Sequence, residues 1–194
     1  MAEARKPAVA LLAAGSSRRF GQRDKLAAEF RGEMLGCLAA RAIPRELFEA
    51  AWVIIGSPEH PCAEQWERTG FAAHVNPDAE RGMGTSVACA ARLAQAARAS
   101  GLLIALSDMP LVPAEHFRAL AATAEDGGSG CIAASSSGSV RMPPAIFGAD
   151  HFETLSESDG DGGARTLLSS GVAIDCPPDW LVDIDTPEDL ARYA

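Results

Sequence analysis

Four basic side chains crowd into eight positions of an otherwise acidic chain: Arg18, Arg19, Arg23 and Lys25. They follow Ala13, Ala14, Gly15, Ser16 and Ser17, whose small side chains let backbone N–H groups approach an anion closely. The 194-residue chain carries 26 acidic and 17 basic side chains, a net charge of −9, so this concentration of positive charge points to a polyphosphate. A solvated turn whose arginines balance nearby acids explains the charge equally well. The segment is no Walker A loop, because the G-K-[ST] ending is absent, and it is not G-x-G-x-x-G.

Carboxylates supply the complementary chemistry. Asp108 stands directly after the apolar run Leu102 to Ser107, at the carboxyl end of a predicted strand. Hard carboxylate oxygens suit Mg²⁺, which takes one or two of them and completes its shell with phosphates and waters. A turn or N-cap role would serve Asp108 as well. Asp183 and Asp185 flank Ile184 near the C-terminus, and Asp185 or Thr186 before Pro187 also has the form of a helix start. In Gly82-Met83-Gly84-Thr85-Ser86-Val87, two glycines enter a helix and aim N–H groups at a base or sugar, or else Thr85 or Ser86 simply caps that helix. His60, His74, His116 and His151 are scattered without metal-ligand spacing, and none is assigned to catalysis.

Positioning these groups requires a sheet. Val9 to Ala14, Ala51 to Gly56, Phe71 to Val75, Leu102 to Ser107 and Cys131 to Ala134 are predicted strands, with Val172 to Cys176 and Leu181 to Ile184 as weaker ones. Helices are predicted over Met34 to Ile43, Cys62 to Thr69, Thr85 to Ala99, Ala114 to Ala124 and Gly163 to Ser169. Strand runs without polar alternation indicate burial on both faces. The fold class is therefore α/β, a three-layer, mostly parallel sheet with helices on both faces. Ligands bind such sheets outside the carboxyl ends of the strands. Gly127 to Gly130 and Ser135 to Ser139 are predicted to be flexible connectors within one domain covering residues 1–194.

Composition narrows the function classes. A net charge of −9 and an aromatic fraction of 6% exclude a nucleic-acid partner, since duplex binders rely on many Lys and Arg and single-strand binders on stacked aromatics. The apolar runs Ala8 to Ala14 and Leu102 to Leu106 fall far short of the ~20 residues that cross a bilayer, so no membrane partner is expected. The N-terminal stretch makes better sense as a strand entering a loop than as a signal peptide. Cys37, Cys62, Cys89, Cys131 and Cys176 are odd in number, lack any C-x-x-C and fit a reducing, cytoplasmic setting. Trp52, Trp66 and Trp180 are packing residues.

Leu12 to Lys25 resembles the L-A-[AG]-G-x-S-x-R-x-G-x-x-x-K signature of nucleotidyltransferases with a glycosyltransferase A-like, Rossmann-like fold, with Ser17, Arg19, Gly21 and Lys25 at its places. The resemblance implies that Leu12, Ala13, Ala14, Gly15, Ser16 and Ser17 wrap a triphosphate, and that Arg19 and Lys25, both expected to be exposed, neutralise the phosphates as pyrophosphate leaves. It also implies catalytic and metal-binding roles for Asp108. Val182 to Leu190 resembles the D-x-D-T-P-E-D-L ending, with Asp185 as second ligand to Mg²⁺, or Mn²⁺ in its place.

Gly82 to Val87 is similar to the turn of the molybdenum cofactor cytidylyltransferases, with Gly82, Gly84, Thr85 and Ser86 at the nucleotide. Pro143 to Gly148 and Gly160 to Leu168 look like further segments of that branch. The implied reaction transfers CMP from CTP, or another NTP, to molybdopterin. The N-terminal half would bind nucleotide and the C-terminal half the acceptor, with Asp161 and Arg165 at the pterin or in a surface ion pair of i, i+4 spacing. A molybdoenzyme or its maturation chaperone would receive the product.

Asp108-Met109-Pro110 departs from the D-Q-P of this branch and matches guanylyl relatives, whereas Ala14 and the Gly82 turn favour CTP. The alternatives are guanylyl or cytidylyl transfer onto another phosphorylated acceptor, such as methylerythritol phosphate or a sugar phosphate, and a non-catalytic nucleotide or cofactor carrier. Glycosyl transfer is weakened because Asp183-Ile184-Asp185 lies at the C-terminal end instead of after a mid-chain strand.

Overall fold

The computed structural model describes residues 5–15, 20, 24–160 and 164–194. Strand β1 (Ala8–Leu12) leads through the short pair β2 (Glu29–Phe30) and β3 (Glu33–Met34) into α1 (Leu35–Ala42). The alternation β4 (Ala50–Ile55), α2 (Ala63–Arg68), β5 (Ala72–Val75), α3 (Met83–Ala97), β6 (Gly101–Leu106), α4 (Ala114–Gly127) follows. A hairpin of β7 (Ile132–Ser137) and β8 (Val140–Gly148) then gives way to α5 (Phe152–Ser156), α6 (Arg165–Ser170), β9 (Val172–Asp175) and α7 (Pro187–Tyr193).

Among the described residues, seven strands form one sheet in the order β5-β4-β1-β6-β8-β7-β9. Only β8 runs against its neighbours, pairing antiparallel with β6 and β7. The expected mostly parallel α/β sheet is observed. Strand β1 buries both faces: Val9 and Leu11 pack beneath α1, α2 and α4 with Trp66 and Phe117, while Ala8, Ala10 and Leu12 pack under α3, α5 and α6 with Val87, Phe152 and Leu168. That double burial explains why its sequence lacks alternation. Alanines of α3, Ala90, Ala91 and Ala94, are fully buried and let this helix lie close on the sheet.

The chain runs outward from β1 to β4 and β5, then returns to place β6 on the other side of β1. The switch point therefore lies between β1 and β6. Leu12 is in register with Ile54 and with Leu106, so the loops after β1, β4 and β6 leave the sheet along one edge. Ser107 locks that edge by donating its backbone N–H and its hydroxyl to the carbonyl of Leu12, at 3.1 and 2.8 Å.

The structure departs from expectation at four places. Ser135 to Ser137 belong to β7 and are no connector, because hydrogen bonds compensate the burial of the hydroxyls. Ser135 Oγ donates to the Pro144 carbonyl at 2.6 Å, leaving it to accept from His116 Nε2 at 2.7 Å, which ties α4 to the hairpin. Strand β8 was missed because Pro143 and Pro144 argue against a strand interior; they sit where the β7 register shifts, between Ala145 and Met142, and so remove no ladder bond that geometry would allow. Leu181 to Ile184 forms no strand: Pro178–Leu181 is a 3-10 turn. Helix α3 also begins two residues before the expected start at Thr85.

Candidate active site

Lys25 stands at the start of a 3-10 turn, Lys25–Ala27, that Asp24 caps by accepting from the Leu26 N–H at 2.9 Å. Asp24 in turn lies 3.0 Å from His60 Nε2, and the Cys62 thiol donates to the Leu26 carbonyl at 3.3 Å. This fixed backbone aims the Lys25 ammonium between two carboxylates. Its Nζ donates to Asp108 Oδ2 at 2.6 Å and to Asp185 Oδ1 at 2.7 Å. Lys25 is buried, with 9% exposure, which corrects the expectation of an exposed side chain. Burial works against its charge, yet Asp108 and Asp185 outweigh that and hold the ammonium above its ordinary pKa.

Asp108 follows β6 directly, and its backbone carbonyl accepts from the Ile184 N–H at 3.0 Å. That bond brings Asp183 and Asp185 to the strand ends. Thr186 caps α7, with its Oγ1 accepting from the Asp189 N–H at 3.1 Å, while Asp189 Oδ2 accepts from the Thr186 N–H at 2.9 Å. Helix capping thus falls to Thr186, and the Asp185 carboxylate turns to Lys25. Asp183 is exposed on one side yet lies among these carboxylates, and partial loss of hydration, then the negative charges of Asp108 and Asp185, push its pKa up to about 6.

Asp108 Oδ1 is buried and has no hydrogen-bond partner among the described residues. Such an oxygen, beside a second carboxylate, fits a hard divalent cation. No set of three His, Cys, Asp or Glu converges among the described residues, so phosphates and waters would have to complete the shell.

A cavity of about 950 Å³ opens over these groups, lined by Leu12, Ala13, Ala14, Gly15, Lys25, Gly82, Ser86 and Asp108 among others. Ser16, Ser17, Arg19 and Asp161 lie outside the described residues. Gly82, at φ +118°, turns the chain into α3. Neither Thr85 nor Ser86 caps the helix, whose N-cap is Gly82; Thr85 is buried in the first turn, where its Oγ1 lies 2.9 Å from the Gly82 and Asp78 carbonyls and accepts from Asn76 Nδ2 at 2.9 Å. Asn76 also donates to Ser86 Oγ at 3.0 Å and accepts from the Asp78 N–H at 3.0 Å. Sequence reasoning missed Asn76, although Asn-Pro after a strand is a turn signal. Gly84 donates its N–H to the Gly160 carbonyl at 2.6 Å, so that N–H faces protein. Arg81 reinforces the junction through Asp159 at 2.5 Å.

A second cavity, of about 880 Å³, adjoins the first and shares Leu12, Met83 and Leu106 with it. Its walls are largely apolar, with Arg141, Arg165 and Asp183 as the ionisable lining. Met109, the departure in the Asp108-Met109-Pro110 segment, is 1% exposed and packs in the core with Val112 and Phe117, away from both cavities. Ala14 does face the first cavity.

The sequence pattern of the MobA-like NTP transferase domain matches residues 9–174. The purine catabolism protein PucB of Bacillus subtilis (strain 168) is 35% identical over 203 aligned positions, covering 94% of each chain. Among solved structures, a nucleotidyl transferase of Methanothermobacter, Mth528, superposes with a TM-score of 0.79 at 20% identity, covering 96% of this chain and 95% of its own. Rv0371c of Mycobacterium tuberculosis H37Rv, solved as a complex with manganese, superposes with a TM-score of 0.68 at 21% identity over 98% of each chain. At these identities the two structures establish a shared fold.

Proposed function

The chain belongs to the MobA-like NTP transferase domain family, and from that premise we propose that it transfers CMP from CTP to the terminal phosphate of molybdopterin. The observation that carries this reading is the adjacency of two cavities whose shared border, Leu12, Met83 and Leu106, lies beside Asp108. A nucleotide in the first and a large ring system in the largely apolar second would bring their phosphates together there. The whole chain acts as one domain, its N-terminal half holding the nucleotide and its C-terminal half the acceptor.

An acceptor phosphate oxygen attacks the α-phosphorus in line, forming the new P–O bond as the bond to the bridging oxygen breaks and pyrophosphate departs. The nucleophile is already an anion, so no general base is needed. The Ala13 N–H is taken by the Ile54 carbonyl at 2.8 Å, so it is the backbone N–H groups of Ala14 and Gly15, with Ser16 and Ser17, that cradle the triphosphate, and Arg19 and Lys25 offset the charge that grows on the leaving group. Asp108 and Asp185 would hold Mg²⁺, or Mn²⁺, which when bound withdraws charge from the phosphate oxygens. Gly82 and Ser86 border the nucleoside, with Thr85 and Gly84 shaping that turn from behind. Arg165 and Arg141 face the acceptor's anionic group.

The recipient of the product is a molybdoenzyme or its maturation chaperone in the cytoplasm; the 35% identical relative is named a purine catabolism protein, which supports a recipient in that kind of process. The test is pyrophosphate release with CTP, GTP, UTP and ATP crossed against molybdopterin, methylerythritol phosphate and sugar phosphates. Release with CTP and molybdopterin is expected, and Arg19→Ala should slow it by about a hundredfold, the worth of one preorganised charged donor. Release only with another acceptor overturns the molybdopterin assignment. Silence with every pair favours the non-catalytic carrier.

A further inference from the structure

We infer that Lys25 is a built-in placeholder for the divalent cation: its ammonium occupies the carboxylates until a triphosphate draws it away, so metal binds tightly only together with nucleotide. The inference rests on Asp108 and Asp185 being the metal's ligands, as argued above. An ammonium 2.6 Å from Asp108 Oδ2 and 2.7 Å from Asp185 Oδ1 takes up the oxygen lone pairs a metal would use. It also puts a positive charge where a second would be repelled. Asp108 Oδ1, buried and without a hydrogen-bond partner among the described residues, shows that the ammonium leaves this acceptor group incompletely satisfied, as expected of a site also built for a different cation.

Movement is confined to the side chain. The Asp24 cap and the Cys62 thiol hold the backbone on both sides of Lys25, while its four-carbon stem can rotate. Lys25 also lines the first cavity with Gly15, so phosphate oxygens there offer the ammonium an alternative partner. Nucleotide therefore frees the carboxylates, and by linkage metal strengthens nucleotide binding by the same factor. Metal alone must displace the ammonium from both carboxylates without the phosphate oxygens that would receive it.

The probe is Mn²⁺ alone, its free concentration followed by electron paramagnetic resonance, with the full chain and no nucleotide. Lys25→Met and Lys25→Gln should each bind Mn²⁺ at least tenfold more tightly than the wild type, and adding Asp108→Asn should abolish the gain. Unchanged or weaker Mn²⁺ binding in either variant, with a cooperative melt, overturns the inference; Lys25→Gln supplies the reading should Lys25→Met fail to fold. No turnover is involved, so the two readings fail separately. Transfer activity without the tightening removes only the placeholder, and tightening without transfer removes only the proposed reaction.

Discussion

The backbone N–H of Ile184 is bonded at 3.0 Å to the carbonyl oxygen of Asp108, and through this bond a C-terminal segment becomes part of a site otherwise built at the ends of β1 and β6. Two carboxylates separated by 77 positions, Asp108 and Asp185, thereby meet one lysine from the N-terminal loop. The capping box of α7 fixes the far side of the same segment, so neither carboxylate depends on its own side chain for placement.

Asp108→Ala and Asp185→Ala should each lower kcat/KM by about a hundredfold or more, the scale of losing one electrostatic contact in the transition state. Chelator should abolish wild-type activity, and Mg²⁺ or Mn²⁺ should restore it. Full activity in excess chelator would sink the metal assignment. If Asp183→Ala alone is damaging, the ligand of the pair is Asp183.

Base choice should follow Ala14 and its surroundings. A Cβ at Gly56 would lie 3.5 Å from the Ala79 Cβ and 4.0 Å from the Ala14 Cβ, so these residues crowd one wall of the nucleotide cavity. One methyl in a pocket is worth about 1 to 3 kcal/mol, so CTP should exceed GTP by at least about tenfold in kcat/KM. Ala14→Gly should relax the preference, and Gly56→Ala, which meets only ordinary contacts, should sharpen it. Competition between CTP and GTP with mass analysis of the product decides this. Met109 exchanges should alter stability without moving the ratio, because that side chain is in the core.

Two glycines should separate packing from binding. A Cβ at Gly84 would sit 2.6 Å from the Gly160 carbonyl oxygen, so Gly84→Ala should destabilise the fold by about 1 to 3 kcal/mol, the usual cost of overpacking. Gly15 has nothing within 4 Å of such a Cβ among the described residues and no positive φ, so Gly15→Ala should melt like the wild type yet raise KM for CTP. Thermal melts and steady-state kinetics of both variants provide the comparison. A normal melt for Gly84→Ala would show that loop 159–160 can withdraw without cost.

His116 should make stability fall in mild acid. Burial pushes its pKa below the ordinary value, with Glu115 opposing weakly. The unfolded chain, titrating near 6.5, then binds more protons between the two values, so this contribution is complete above about pH 6.5 and is lost as pH falls through that window. His116→Gln keeps a donor for Ser135 but does not titrate. Its melting temperature should drop less than that of the wild type between pH 7.5 and 5.5, and parallel slopes would exclude the effect.

Local chemistry was legible wherever a residue's role depends on its immediate neighbours. The apolar runs before Gly15 and Asp108 named the strands whose ends carry the site, since burial on both faces leaves no polar alternation to confuse them. Thr186-Pro187 named a helix start, whereas the clustered cations left a phosphate loop and a solvated turn equally open, and Arg18, Arg19 and Arg23 lie outside the described residues. What the sequence could not decide depends on contacts between distant segments. Ser135 and Ser136 are poor strand formers until the Pro144 carbonyl and His116 satisfy Ser135 and the Gly138 carbonyl satisfies Ser136. Met109 looks like a base selector until the core around Phe117 claims it. Lys25 looks like an exposed phosphate ligand until Asp108 and Asp185 close on it from 83 and 160 positions away. Pattern fixes which elements form because local periodicity sets which face is apolar. Charge placement in the site is tertiary, because a buried ammonium is stable only where the fold delivers its counter-ions.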